Sequence, residues 1–345
     1  MLIISKNNKS INLGIEILRM LLCLWIVFIH CSIIKEAQKK YLSKGFHVPT
    51  FILISFFFYV KTLQGRIIYK IIYRFKRILI PYIGWSIIIL IINNLKILVF
   101  GYGLSHKILS LQDLYLQLLT GSNYYRIFWF QFNLIFLSLF LTIISFIFKS
   151  NLLLSFYYLA VISFYMHISR LNHKFVIQLG NKYIRKSCGS LIESMPISIF
   201  GCIISSSNLL SETKKNPLSI LFLYIFLLYI FFNYEIFINY RGFRGSTSNI
   251  LLNIFVCTIL LLFFGSLNFD KVKYYKLYIF IQLITKNTGG IYYIHEIVRD
   301  HLNIFSHSIK DGTYFGALII YLFSYLICFF GNRLLKNHIF RYLFI

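Results

Sequence analysis

Two side chains in the first apolar stretch of the chain carry the strongest chemical signal. Arg19 and His30 lie eleven residues apart in INLGIEILRMLLCLWIVFIHC. At about 100° per residue, this spacing puts both on one helix face, about 16 Å apart along the axis. An arginine in a lipid-bound segment is costly and usually faces the protein interior, so the pair predicts an anion contact and a general base. The alternative is positional: Arg19 reaches the headgroups or pairs with Glu16, and His30 is an interfacial histidine.

A second cationic motif, RFKRILIPY, occupies residues 74–82. Arg74 and Arg77 are three residues apart, so they are neighbours on a helix surface. Two guanidinium groups close together suit a ligand that bears phosphates. The alternative is that both arginines only anchor the helix at the membrane surface.

Three further motifs contain polar or aromatic side chains in apolar surroundings. In FHVPTFILIS, Ser55 is expected to bond to its own helix. In NYYRIFWFQFN, Trp129 is either an interfacial aromatic or a surface on which a sugar ring stacks. In TGGIYYIHEIVRDH, His295 and Glu296 lie late in an apolar run, and the spacing to His301 does not place both histidines on one face. We therefore expect no metal site there.

The composition indicates a membrane protein. Apolar residues make up 58% of the 345 residues, and a soluble protein of this size has no interior for so much apolar surface. Several runs of about 20 apolar residues are long enough to cross a bilayer. We predict an all-α, polytopic helical membrane protein with one domain over residues 1–345. Its ten candidate transmembrane spans are residues 12–34, 47–63, 75–100, 127–148, 151–169, 190–208, 217–239, 248–268, 277–299 and 313–333.

The positive charge indicates membrane lipids rather than nucleic acid as partners. The formal net charge is +25, and the cations lie mainly between and beside the predicted spans. The loop after the second span, residues 61–77, has six cations and no acid. This predicts that the loop is cytoplasmic and that, with ten spans, both termini are cytoplasmic. Five cations in residues 170–189 would then face outward, so the orientation of that loop stays open.

In this order, the motifs resemble the acyltransferase-3 family of integral membrane O-acyltransferases, over essentially the whole chain. The motifs that carry the resemblance are R-x10-H from Arg19 to His30, HVPxFxxxS at 47–55, RxxRxxxP from Arg74 to Pro81, FWF at 128–130, SIFGCII with Gly201, and IYxxH at 291–295. There are two departures from the family pattern. Phe56 follows Ser55 where the family usually has glycine, and Glu16 stands before Arg19 where it has aspartate.

The resemblance implies an enzyme of a bacterial inner or plasma membrane that uses no metal. It would take an acyl group, usually acetyl, from cytosolic acyl-CoA and transfer it to a hydroxyl of a cell-surface or secreted glycan or another small acceptor. The implied site residues are His30 and Glu16 for catalysis, Arg19, Arg74 and Arg77 for the donor, and Ser55, Trp129, His295 and Glu296 on the acceptor side or in structural roles.

Two alternatives stay open at this point. His30 is either the base that activates the acceptor hydroxyl or a relay that carries the acyl group itself. From a different class of protein, a transporter or flippase of an anionic or lipid-linked glycan would also contain intramembrane arginine and histidine.

Overall fold

The computed structural model describes residues 12–30, 46–65, 68–101, 108–121, 123–124, 128–148, 151–171, 182–207, 210, 247–267, 275–305, 314–336 and 338–344. Every regular element in these residues is helical, which confirms the all-α prediction. The α-helices are α1 (Leu13–His30), α2 (His47–Gln64), α3 (Ile68–Phe100), α4 (Leu111–Thr120), α5 (Trp129–Ile147), α6 (Leu152–Leu171), α7 (Lys182–Ser206), α8 (Thr247–Ser266), α9 (Tyr275–Thr285), α10 (Thr288–Phe305) and α11 (Tyr314–Leu334). A 3-10 helix over Ile339–Phe344 follows α11.

The described helices overlap nine of the ten predicted spans but differ from them in several places. Helix α3 begins at Ile68 and α7 at Lys182, seven and eight residues before their predicted spans. The ninth predicted span, residues 277–299, is divided between α9 and α10 by a turn at Lys286 and Asn287. The short helix α4 lies outside every predicted span, and a capping box between Ser110 and Asp113 starts it. The seventh predicted span, residues 217–239, lies outside the described residues.

Exposed apolar side chains form a face on α3 that is compatible with lipid. Five of the described helices are long and apolar enough to cross a membrane: α1, α5, and the greater parts of α3, α7 and α11. On α3, Ile83, Ile87, Ile91 and Leu95 recur every four residues and are 37–54% exposed. This spacing forms a continuous apolar stripe along one helix face. Such a stripe is unfavourable in water and favourable against acyl chains, as expected of an integral membrane protein.

Helix α1 lies inside the bundle, where it contacts α2, α8, α9, α10 and α11. Its buried face includes Leu18, Leu22 and Ile26, which recur every four residues. Helix α2 packs most extensively against α7, where the absence of a side chain at Gly201 permits a close approach. A Cβ atom added there would lie 2.5 Å from the carbonyl oxygen of Leu53.

The C-terminal 3-10 helix is fixed to the bundle by side-chain hydrogen bonds. Trp85 Nε1 of α3 donates to the carbonyl oxygen of Leu343 over 2.8 Å. Arg341 Nε donates to Asn332 Oδ1 of α11, also over 2.8 Å. These bonds place the last described residues beside α3, α10 and α11.

Candidate functional site

A cavity of about 440 Å³ lies between α1, α2, α3, α5 and α10. Among the described residues that line it, four are cations and none is acidic: Arg19, Lys70, Arg74 and Arg77. Apolar and aromatic side chains form the remaining wall, including Ile26, Phe51, Phe130 and Tyr292. The cavity therefore combines positive charge with an apolar interior, and we call its cationic side the arginine end.

Arg19 is held in place at the arginine end by two helices. Its Nη1 donates to both carboxylate oxygens of Glu16 over 3.1 Å, one turn earlier on α1. Its Nη2 donates to Thr288 Oγ1, the first residue of α10, over 3.3 Å. The Sγ atom of Cys23 also contacts the Thr288 carbonyl oxygen at 3.8 Å. Arg19 therefore positions α1 against α10 while its guanidinium still lines the cavity.

Arg74 is tied to its neighbours on three sides. Its Nε donates to Ser138 Oγ of α5 over 3.1 Å, and its Nη2 donates to Ser55 Oγ of α2 over 2.9 Å. Its Nη1 reaches the carbonyl oxygen of Ser55 at 3.3 Å. The guanidinium also lies over the ring of Tyr59, 4.1 Å from the centroid. Arg74 thus links α3 to α2 and α5, which leaves it little freedom to follow a ligand.

Arg77 has a different environment although it is only one turn further along α3. Its guanidinium lies 5.9 Å from the ring centroid of Tyr73 and makes no hydrogen bond or ion pair within the described part of the chain. Arg77 is exposed, and its positive charge lies near enough to that of Arg19 for the two to repel each other. An exposed guanidinium with free donors beside a second cation is suited to binding phosphate.

His30 ends α1 at the opposite side of the bundle, which we call the histidine end. Its Nδ1 donates to Glu296 Oε1 of α10 over 2.8 Å. A neutral imidazole that donates from Nδ1 keeps a lone pair on Nε2. That Nε2 atom has no hydrogen-bond partner among the described residues. A histidine with one nitrogen held by a carboxylate and the other free has the geometry of a general base.

Two neighbours on α10 complete the histidine end. The ring of His295 lies edge-on to the ring of His30, with centroids 5.0 Å apart. His295 is fully buried; its Nδ1 contacts the Ile291 carbonyl oxygen at 3.1 Å, and its Nε2 has no partner among the described residues. Arg299 Nη1 donates to the His30 carbonyl oxygen over 2.8 Å, which satisfies a free carbonyl at the end of α1. These contacts fix where α1 ends relative to α10.

The cavity approaches the histidine end through its apolar wall. Ile26 lies one turn before His30 on α1, and Tyr292 lies one turn before Glu296 on α10. The Tyr292 and His295 rings are 6.1 Å apart, centroid to centroid. The apolar wall of the cavity therefore ends one helical turn from His30 and Glu296, which are not among the described residues that line it.

The other predicted site residues lie as follows. Glu16 pairs with Arg19 and is fourteen residues from His30, about 21 Å along α1, so it does not contact the imidazole. Ser55 accepts the hydrogen bond from Arg74, which is a cross-helix role rather than the expected bond to its own helix. Trp129 starts α5 and packs edge-on against Phe130, with ring centroids 6.4 Å apart. It is not among the described residues that line the cavity.

The predictions from the sequence do not include the His30–Glu296 pair, although the sequence contains a signal for it. The first and ninth predicted spans are both odd-numbered, so they cross the membrane in the same direction. A residue late in one span therefore lies at the same depth as a residue late in the other. His30 and Glu296 both satisfy this condition.

Three side chains at the histidine end could together hold a metal ion. The ligand atoms of His30, His295 and Glu296 lie within 4.8 Å of one another. Imidazole nitrogens and a carboxylate are ligands that zinc accepts. The prediction that the chain needs no metal stays a prediction.

The fold and site define a polytopic membrane protein with a cavity that is cationic at one end and a His–Glu pair that lies one helical turn beyond its apolar wall. A family model described as an acyltransferase domain matches residues 12–344. The chain therefore belongs to the acyltransferase-3 family and is a membrane acyltransferase, which confirms the resemblance seen in the sequence. No curated protein and no solved structure matches the chain.

Proposed function

We propose that the protein is an O-acyltransferase that moves an acyl group, with acetyl as the first candidate, from cytosolic acyl-CoA to a hydroxyl of a cell-surface or secreted glycan. The observation that carries the proposal is the hydrogen bond of 2.8 Å between His30 Nδ1 and Glu296 Oε1. It supports a base at His30 Nε2, which is what a hydroxyl acceptor requires. The thioester of acyl-CoA is already activated, so the transfer calls for a base and a properly placed donor.

In the proposed transfer, His30 takes one proton from the acceptor and returns it to the leaving group. Nε2 takes the proton of the acceptor hydroxyl as the hydroxyl oxygen attacks the thioester carbonyl carbon. The tetrahedral intermediate then collapses, the C–S bond breaks, and the CoA sulfur leaves with the proton from the imidazolium. Glu296 stabilises the imidazolium during this sequence and holds the ring in its orientation. In the relay alternative, Nε2 itself attacks the thioester, the C–S bond breaks, and the CoA thiolate leaves. The acceptor hydroxyl oxygen then attacks the acyl carbon, the C–N bond to the imidazole breaks, and the hydroxyl proton goes to the thiolate.

The arginine end supports the donor half of the proposal. CoA is polyanionic, and Lys70 and Arg77 offer cations at the mouth of the cavity. Arg19 and Arg74 line the same cavity but are also bonded to neighbouring helices. Arg19 and His30 lie about 16 Å apart along α1. A phosphate group bound at one end would thus leave a long thioester arm free to extend toward the other.

The same arrangement supports an orientation in the membrane. The segment 61–77 has six cations and no acid, so we propose that the arginine end faces the cytoplasm, where acyl-CoA is found. The histidine end would then open toward the outer surface, where the glycan acceptor is available. The proposed location is a bacterial inner or plasma membrane, with lipids and the glycan or another hydroxyl-bearing molecule as partners.

The test uses membranes that contain the wild-type chain or the His30→Ala variant, with radiolabelled acetyl-CoA and a glycan extract of the source cell. We expect label in the glycan that mild base removes, and a loss of roughly a hundredfold to ten-thousandfold in the variant. His338→Ala is the matched control, because this exposed histidine stacks on Phe340 and is not among the described residues that line the cavity. Full activity in His30→Ala contradicts the proposed base. Absence of transfer from several acyl-CoAs to several extracts favours the transporter alternative.

A further inference from the structure

A second cavity of about 540 Å³ adjoins the arginine end and has no role in the site described so far. It lies between the start of α3 and the C-terminal 3-10 helix. Its described lining residues are Tyr69, Lys70, Ile72, Tyr73, Lys76 and Tyr342. We call it the aromatic groove, because three of these six residues are tyrosines and none is acidic.

The tyrosines and cations of the aromatic groove are arranged as a binding surface for a flat anionic group. The rings of Tyr73 and Tyr342 are nearly perpendicular, with centroids 6.1 Å apart, and form a corner. Lys70 Nζ lies 5.7 Å from the ring centroid of Tyr69. Tyr69 is 70% exposed and Tyr73 is 49% exposed, so both rings have accessible faces. Aromatic rings interleaved with cations are the usual surface for a nucleobase and its phosphates.

The aromatic groove adjoins the cavity at the arginine end. Lys70 and Tyr73 line both spaces, and Arg77 lies over the ring of Tyr73 on the cavity side. A ligand whose phosphates lie at Lys70 and Arg77 therefore has room on both sides. One side is the cavity with its apolar wall, and the other is the groove.

The fold fixes Tyr342 in position. The residue after it, Leu343, accepts a hydrogen bond from Trp85, and the residue before it, Arg341, donates to Asn332. Phe344 packs against Gly290 of α10, where an added Cβ would lie 2.9 Å from the Phe344 carbonyl oxygen. A wall of the groove is thus held against three helices, as a preformed binding site requires.

We propose that the aromatic groove binds the adenine and phosphate end of the acyl-CoA donor, an inference that rests on the proposed function. The shared wall with the cavity favours this occupant over a lipid headgroup, because a CoA ester has both a nucleotide for the groove and an acyl-bearing arm for the cavity of about 440 Å³ beside it. The groove orients the donor: the nucleotide lies between α3 and the 3-10 helix, and the thioester arm extends into the cavity.

Binding of the nucleotide portion alone tests the inference without requiring any transfer. The protein is purified in detergent, and the affinity of adenosine bisphosphate, the nucleotide of CoA without its thiol arm, is measured. We expect saturable binding that Tyr342→Ala weakens roughly tenfold, the usual effect of losing one base–aromatic stack. Tyr342→Phe keeps the ring and should stay within about twofold of the wild type. Tyr158→Ala, an exposed tyrosine on α6, controls for general effects of removing an aromatic ring.

Donor kinetics give a second measurement on the same variants. Tyr342→Ala should raise the half-saturation concentration for acetyl-CoA roughly tenfold and leave that for S-acetylpantetheine, which has no nucleotide, unchanged. If nucleotide binding is intact but neither donor is used, the groove stands and the proposed function fails. If the wild type does not bind the nucleotide, or anionic lipid vesicles displace it from the wild type and Tyr342→Ala alike, the groove inference is overturned. Equal binding by the wild type and Tyr342→Ala overturns it as well.

Discussion

The arginine end and the histidine end are both built around a residue of α1 that pairs with a carboxylate, yet the two pairs differ in kind. Arg19 pairs with Glu16 within the same helix, whereas His30 pairs with Glu296 across to α10. Their exposures do not separate them: the side chains are 28% and 14% exposed in the first pair, and 35% and 17% in the second. The two pairs differ instead in where the carboxylate lies, on the same helix or on another one. A pair within one helix positions a charge, while a pair across two helices depends on the tertiary fold and defines where a base lies.

The largest expected effect is at the histidine end. Glu296→Gln keeps the size of the side chain but removes the charge that stabilises a protonated His30. We expect the rate at saturating donor to fall roughly a hundredfold or more. Glu16→Gln is the matched substitution at the other end and should chiefly weaken donor binding. The measurement is acyl transfer as a function of acetyl-CoA concentration.

That pair of variants also tests the predicted catalytic role of Glu16. If Glu16→Gln lowers the saturated rate as strongly as Glu296→Gln, both carboxylates take part in the reaction. Donor binding at the arginine end and catalysis at the histidine end would then not be separate roles. If neither variant affects the rate, the His30–Glu296 pair has no catalytic importance.

A smaller effect is expected at the arginine end. Arg77→Ala removes an exposed cation that makes no hydrogen bond or ion pair within the described residues, so the fold should be unaffected. Loss of one charge-assisted hydrogen bond to phosphate should raise the half-saturation concentration for acyl-CoA roughly tenfold, with little change in the saturated rate. Arg74→Ala is the contrast, because it removes three hydrogen bonds to α2 and α5 and should lower the unfolding temperature in detergent. Equal unfolding temperatures for the two variants would show that Arg74 does not hold these helices together.

The smallest effect is expected at Ser55, whose hydroxyl accepts a hydrogen bond from Arg74. Ser55→Ala removes the hydroxyl that accepts from Arg74 Nη2 over 2.9 Å but leaves the carbonyl contact intact. The expected loss is about 1 kcal/mol in the free energy of unfolding. Ser206→Ala is the control, since its hydroxyl accepts an exposed hydrogen bond from Gln64 and should matter less. A loss in Ser55→Ala no greater than in the control would remove Ser55 from the helix contact.

The sequence predicts the helices more fully than their partners, and the residues show why. Apolar runs predict α1, α3, α5 and α11 directly, because each run alone is long enough to cross the bilayer. The ten-residue helix α4 carries no such run and is missed. The break at Lys286 and Asn287 is missed because α9 and α10 together form one apolar run in the sequence.

The site shows the same limit at the level of side chains. Arg74 and Arg77 are equivalent in sequence, three residues apart in one motif. In the helix, the two side chains point in directions about 60° apart around the axis. Arg74 therefore contacts α2 and α5, whereas Arg77 lies at the mouth of the cavity. Only local pairs, such as Arg19 with Glu16, can be inferred from spacing. The His30–Glu296 pair needs the fold, or the membrane depth of two distant spans.

The most direct test of the division between the two ends measures donor binding and acyl transfer side by side in His30→Ala and Arg77→Ala. Purified protein in detergent is titrated with radiolabelled CoA, and the same preparations are assayed for transfer to the glycan. We predict that His30→Ala binds CoA like the wild type and transfers the acyl group roughly a hundredfold to ten-thousandfold more slowly. We predict that Arg77→Ala binds CoA roughly tenfold more weakly and transfers normally at saturating donor. Loss of CoA binding in His30→Ala, or a lowered saturated rate in Arg77→Ala with unchanged binding, would contradict a division of binding and chemistry between the two ends.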